Sequence, residues 1–267
     1  MKQHLQLKKL QAKLYGNKVW YQAKANNGNK IILNDLIGET IKLSYNGDIN
    51  CMKCDAEINK TFGEGYCYSC FSTQPESSPC IIRPELCRAH LGEGRDMEWE
   101  KQYHLVEHVV YLAKSSHIKV GITRGGNEKT RWIDQGASEA IVVARVPNRY
   151  LSGVIEVALK DHYSDKTSWQ RMLKNEVTDV SLEAELPKIE CYLGGELAQY
   201  MCKENLSQVI EYPVETYPTK VKSLKFDKEP VIEKKLVGIK GQYLIFDDNT
   251  VLNVRSHTGY WVNVEFN

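Results

Sequence analysis

At 267 residues the chain is long enough for one large domain or two to three small ones, and its 42% hydrophobic and 26% charged residues are ordinary for a globular protein. Its 35 basic and 34 acidic residues leave a net charge of +1, which excludes a global field that draws in polyanions; any nucleic-acid surface has to be a local patch. The opening MKQHLQLKKLQAKLYG is too polar for a signal peptide and no stretch is apolar for a bilayer's width, so a cytoplasmic protein without membrane contact is expected, with its thiols reduced.

Residues 1–12 read as a short helix. Lys18-Val19-Trp20-Tyr21-Gln22 and Thr40-Ile41-Lys42-Leu43-Ser44-Tyr45 read as strands, divided by the turn residues Asn26-Asn27-Gly28-Asn29. Next come Cys51-Met52-Lys53-Cys54, twelve residues, then Cys67-Tyr68-Ser69-Cys70. Each CxxC sets two sulfurs on one tight turn, and two such turns at this separation suit one tetrahedral Zn²⁺ held by Cys51, Cys54, Cys67 and Cys70. Cys80, Cys87 and His90 follow closely and predict a second structural Zn²⁺, with His104 favoured over His108 to complete it. Residues 51–104 are rich in Cys, Gly, Pro and Ser and show no sustained period, so metal replaces a hydrophobic core there. Glu98-Trp99-Glu100 carries no assigned chemistry. Cys191 and Cys202 stand apart and are expected as buried small hydrophobes.

From residue 108 the pattern changes. His108–Ala113 and Ile118–Thr123 are apolar runs joined by a short polar link, which predicts a hairpin. Thr130 is placed to cap a helix that carries Arg131 and Trp132, with Trp132 in the core. Residues 140–146 form a buried strand. Apolar residues at 151, 154, 155, 158 and 159 have the helical period, and a further helix is expected over 182–206. After Pro213 four short apolar runs return, at 236–239, 242–246, 250–254 and 260–264, resembling part of a small barrel that the N-terminal strands complete.

Within 109–156 stand a tyrosine ending one strand segment, a Lys-Val-Gly on the next, an arginine in the first helix and a glutamate in a later one. Phosphodiester hydrolysis needs a base near water, a cation at the phosphate and a carboxylate-held divalent metal. Tyr111 would be the base, its pKa lowered by Lys119 or a metal; Arg131 would meet phosphate oxygens, and Glu156 would hold Mg²⁺ or Mn²⁺. Residues 101–150 carry eight Lys or Arg against four Asp or Glu, so Arg124, Lys129, Arg145 and Arg149 are expected to form a nucleic-acid surface.

That order resembles the GIY-YIG nuclease superfamily over about a fifth of the chain. Val109-Val110-Tyr111 stands for the first tripeptide and Lys119-Val120-Gly121 for the second. Val109 replaces the first glycine and Lys119 the second tyrosine. The resemblance implies that Tyr111 activates water, Arg131 stabilises phosphorane-like charge and Glu156 binds one divalent metal. Over most of its length the chain also resembles an uncharacterised bacterial family with cysteine-rich knuckles and segments like Ser78–Glu85, Tyr111–Ser116 and Thr130–Gly136. The expected class is α+β: an N-terminal helix and strands (1–50), a zinc module (51–107), a GIY-YIG-like antiparallel sheet flanked by helices (108–210) and a β-rich segment (211–267). Two functions fit, a metal-dependent nuclease acting on DNA or RNA and a catalytically silent zinc module that binds nucleic acid or protein.

Overall fold

The computed structural model describes residues 2–164, 168–203 and 205–266. Its strands are β1 (Lys2–Gln6), β2 (Gln11–Tyr15), β3 (Lys18–Lys24), β4 (Lys30–Ile32), β5 (Thr40–Ile49), β6 (His108–Lys114), β7 (Ile118–Arg124), β8 (Glu139–Val146), β9 (Gln208–Val209), β10 (Lys222–Leu224), β11 (Val231–Lys240), β12 (Tyr243–Phe246), β13 (Thr250–Asn253) and β14 (Tyr260–Glu265). Its α-helices are α1 (Tyr68–Thr73), α2 (Met97–Tyr103), α3 (Glu128–Asp134), α4 (Arg149–Lys160), α5 (Trp169–Leu173) and α6 (Leu186–Leu193). The chain is mixed α+β. It divides into two compact units, residues 1–71 with 211–267, and residues 72–210. The stretch 51–107, expected as one module, is therefore split: the CxxC pair belongs to the first unit and Cys80–His104 to the second. No helix among the described residues is long and apolar enough to cross a membrane.

In the first unit a seven-stranded sheet runs β1-β14-β5-β11-β12-β13-β10, and β2-β3-β4 form a second sheet. The N-terminal strands do join the C-terminal ones. β1 is a strand where a helix was expected, because Gln3 and Leu5 are buried while Lys2 and His4 are exposed, a period of two. Its partner is β14, with Lys2 opposite Glu265, and no local signal reports a partner so distant. β5 lies between β14 and β11, so both edges of the strand that leads into Cys51 are held.

In the second unit β7-β6-β8-β9 form an antiparallel sheet with β6 inside it. All of β6 except Lys114 is buried. Val110, Leu112, Val120, Ile141 and Val143 pack with Ile155 and Leu159 of α4 and with Leu186 and Ile189 of α6. α4 starts where Asn148 accepts a hydrogen bond from Leu151 N–H, a cap for an otherwise open donor. α3 begins at Glu128, so Thr130 lies in its first turn instead of capping it. The long helix expected over 182–206 is broken, since α6 stops at Gly194-Gly195, both with positive φ (48° and 45°); residue 204 of that stretch lies outside the described residues. Cys191 is exposed and Cys202 half-buried, against the expectation that both are buried.

Candidate metal centres and a buried phenol cluster

The β5–β14 ladder delivers the first four cysteines. Asn50 N–H donates to Gly259 O, and one residue later the chain turns through Cys51, with Asp55 N–H donating back to Cys51 O. Phe62 and Tyr66 exchange backbone hydrogen bonds of 2.8 and 2.9 Å, which fold the chain back so that Cys67 and Cys70 face the first pair. The sulfurs of Cys51, Cys54, Cys67 and Cys70 all lie within 4.8 Å of one another, and Cys54 Sγ is 3.9 Å from Cys67 Sγ. Tetrahedral Zn²⁺ with Zn–S near about 2.3 Å requires sulfurs at about this separation.

The surrounding backbone favours thiolates. Cys51 Sγ accepts N–H groups from Lys53 (3.5 Å) and Cys67 (3.1 Å), and Cys67 Sγ accepts from Cys70 (3.3 Å). Burial pushes the Cys51 thiol up, but backbone hydrogen bonds from Cys54, Cys67 and Lys53 outweigh it and hold the pKa at about 6. Burial and the adjoining sulfurs push Cys70 up to about 12. Four sulfurs this close cannot all ionise without a cation, and a divalent cation removes that penalty. The donor set fits structural Zn²⁺.

A second group forms in the other unit. Cys80, Cys87 and His104 bring their ligand atoms within 4.8 Å of one another, all three buried. His104 Nδ1 is 3.9 Å from Cys80 Sγ and 3.6 Å from Cys87 Sγ. The hydrogen bond from Cys80 lowers the Cys87 thiol to about 4, while Cys80 is raised by the same contact. His90 does not join the group. It is exposed and stacks on Tyr150 with ring centroids 4.4 Å apart. The short Cys87–His90 spacing suggested a ligand, but the turn Ala89–Leu91 aims the ring outward. Arg149 donates to the carbonyls of Cys80 (2.9 Å) and Ile81 (2.8 Å), which fixes the loop carrying Cys80.

The residues proposed for phosphate chemistry do gather, but not around open water. Tyr111 lies opposite Gly121 in the β6–β7 ladder, and a Cβ on residue 121 would stand 2.6 Å from the phenol oxygen. The phenol oxygen is 3.0 Å from the Gln135 side-chain amide. With that amide oriented toward Arg131, its oxygen accepts from Arg131 Nε (3.1 Å) and Nη2 (3.2 Å), and its nitrogen donates to the phenol. Gln135, a polar residue that no motif singles out, thus links Tyr111 to Arg131. Glu156 is buried, with Lys160 Nζ at 3.7 Å, and its charge acts on the phenol.

Tyr111 is 0% exposed and Lys119 6%. Burial is the largest influence on the phenol and raises its pKa; Arg131 opposes that rise and Glu156 adds to it. The phenol is therefore protonated at neutral pH, the opposite of the lowered pKa expected of a base. Trp132 is buried, as expected of a core residue, edge-on to Tyr111. The basic surface is also changed. Arg145 pairs with Glu107 (2.7 Å) and Glu128 (3.2 Å), Arg149 is committed to the Cys80 loop, and Arg124 lies over the Tyr103 ring at 4.7 Å. Of the four residues expected to form it, only Lys129 is exposed without such a commitment.

A family model described as protein of unknown function (DUF2797) matches residues 38–262. The chain belongs to this family. Both cysteine groups and the Tyr111 cluster fall inside the matched DUF2797 range, whereas β1–β4 fall outside it. No curated protein and no solved structure matches the chain.

Proposed function

We propose that this protein binds single-stranded nucleic acid through the aromatic face of its Cys51–Cys70 knuckle, and that the core around Tyr111 is catalytically silent. The carrying observation is Tyr68, 67% exposed although it sits between two metal-ligating cysteines. Phe62 meets Tyr68 edge-on at 5.5 Å and stacks on Phe71 at 6.0 Å, and Lys60 Nζ lies 5.3 Å over the Phe62 ring. Lys53 and Lys60 are both exposed on the same knuckle. An exposed ring backed by two half-buried ones and flanked by lysines suits bases that stack and phosphates that follow the chain. With few cations involved, stacking supplies more of the affinity than charge does. Removing a stacked ring costs about 1–3 kcal/mol, so Tyr68→Ala weakens binding of a fluorescent oligo-dT or oligo-U about 5- to 150-fold in an anisotropy titration. The salt slope is shallow, about −1.4 if two lysines each meet one phosphate. Affinity unchanged in Tyr68→Ala, or none at all, rejects the proposal.

The silent core rests on the sealed, protonated phenol and on Lys119 standing where the nuclease pattern has its second tyrosine. One observation favours the other reading, a GIY-YIG-like nuclease hydrolysing DNA or RNA. The phenol, the Arg131 guanidinium and the Glu156 carboxylate share one neighbourhood, and buried charge of this kind is costly unless it has a use. On that reading Arg131 would leave Gln135 to bind a phosphate, which would uncover the phenol, and Glu156 would be the residue to hold Mg²⁺ or Mn²⁺. Incubation with either ion and labelled single- and double-stranded DNA and RNA distinguishes the two. Intact substrates are expected; cleavage that disappears in Glu156→Ala overturns the silent core.

A further inference from the structure

We infer that Glu100 is the fourth ligand of the second metal centre, giving a Cys80–Cys87–His104–Glu100 site in which a carboxylate oxygen completes the zinc tetrahedron. Asp96 caps α2 by accepting from the N–H groups of Glu98 and Trp99, and the helix then sets Glu100 and His104 one turn apart on the same face. Glu100 is 2% exposed and His104 likewise. Glu100 Oε2 lies against His104 Nδ1, the atom that already faces both Cys80 Sγ and Cys87 Sγ. That oxygen is buried, and the His104 imidazole is its partner. A buried carboxylate beside two thiols is costly unless positive charge compensates it, and a cation shared with His104, Cys80 and Cys87 would do so.

The carboxylate is built into its position from behind. The Arg95 backbone N–H bonds to it, which leaves Oε2 directed at His104. Residue 94 has to be glycine, since a Cβ there would lie 2.6 Å from Glu100 Cγ and 2.8 Å from Oε1. Such an outer contact orients a ligand. Charge balances as well. Two thiolates, one carboxylate and a neutral imidazole on Zn²⁺ carry a net −1, and the Arg149 guanidinium, bound to the Cys80 and Ile81 carbonyls, is the adjacent +1.

The test counts zinc per chain by native mass spectrometry in the full-length protein, with zinc-edge X-ray absorption for the ligand set. Wild type holds about two zinc ions and averages about three sulfurs per zinc, from one four-sulfur and one two-sulfur site. Glu100→Ala falls to about one zinc. Glu100→Cys restores two and raises the sulfur average, which separates ligation from a simple packing defect. His90→Ala keeps two. Two zinc ions retained in Glu100→Ala, or one lost in His90→Ala, overturns the assignment. A wild type whose single zinc survives Cys80→Ser overturns the second centre itself.

Discussion

Replacing Cys51 by serine removes one zinc from the protein and unfolds the knuckle it anchors. Cys51 is 2% exposed and its sulfur accepts hydrogen bonds from Lys53 and Cys67, so serine loses both a ligand and the acceptor that orders the turn. Structural zinc contributes about 10–16 kcal/mol of apparent binding energy in small zinc domains, and that binding energy is folding energy. Besides the metal, backbone hydrogen bonds such as Cys51–Ala56, Met52–Gly65 and Ile58–Ile49 and a Glu64–Arg255 ion pair hold the segment from Cys51 to Tyr66, and partly exposed ion pairs contribute at most about 1 kcal/mol. Zinc content should fall by one and the melting temperature by about 20 °C or more, since about 10 kcal/mol at about 2–4 °C per kcal/mol for a chain of this size gives at least that. The Cys80 centre keeps its zinc, because it belongs to the other unit. Full zinc content with an unchanged melting curve would remove the tetrahedral assignment.

Gly153→Ala is the second large effect, and its sign runs against local propensity. In an exposed helix interior this change stabilises by about 1 kcal/mol. Here Gly153 of α4 is buried against the turn Pro84–Leu86, and an added Cβ would stand 2.2 Å from Glu85 N and 2.5 Å from Pro84 C. Both are backbone atoms, so no side chain can swing aside. α4 and the turn have to separate, and overpacking of this sort costs about 1–3 kcal/mol or more. The turn lies between Cys80 and Cys87, so the variant should also weaken zinc at that centre while the four-cysteine centre stays loaded. Chemical denaturation read beside zinc stoichiometry checks both parts. A variant as stable as wild type would mean that helix and turn do not touch as described.

These two sites also mark what the sequence makes legible. The CxxC pair is read from spacing alone, since ligand geometry depends on local turns. The β6–β7 hairpin, the β8 strand and α4 are similarly local, and their apolar periods report them directly. Glu100 escapes such reading because a glutamate four residues before a histidine is an everyday helix pattern, and only Gly94 and the two cysteines in space give it meaning. Gln135 escapes because its role is a hydrogen bond between partners on different elements. Tyr111 is found at the expected place, but its burial depends on Gly121, Gln135 and Trp132 closing over it, which no spacing encodes. His90 misleads for the opposite reason: a good interval in sequence is spoiled by the direction of one short turn.

The unit that carries the CxxC knuckle is interrupted by 139 residues of the other unit, from 72 to 210. The strand β14 that flanks β5, with Gly259 just before it bonded to Asn50, leaves the ribosome long after Cys51 does, about 10–40 s later at about 5–20 residues per second. Before that interval closes the inserted unit has all its strands and helices synthesised, while the four outer thiols wait on a scaffold whose flanking strand is not yet made. Nascent chains halted just before β14 should therefore already protect Cys80 and Cys87 from alkylation but leave Cys51 and Cys54 open to it.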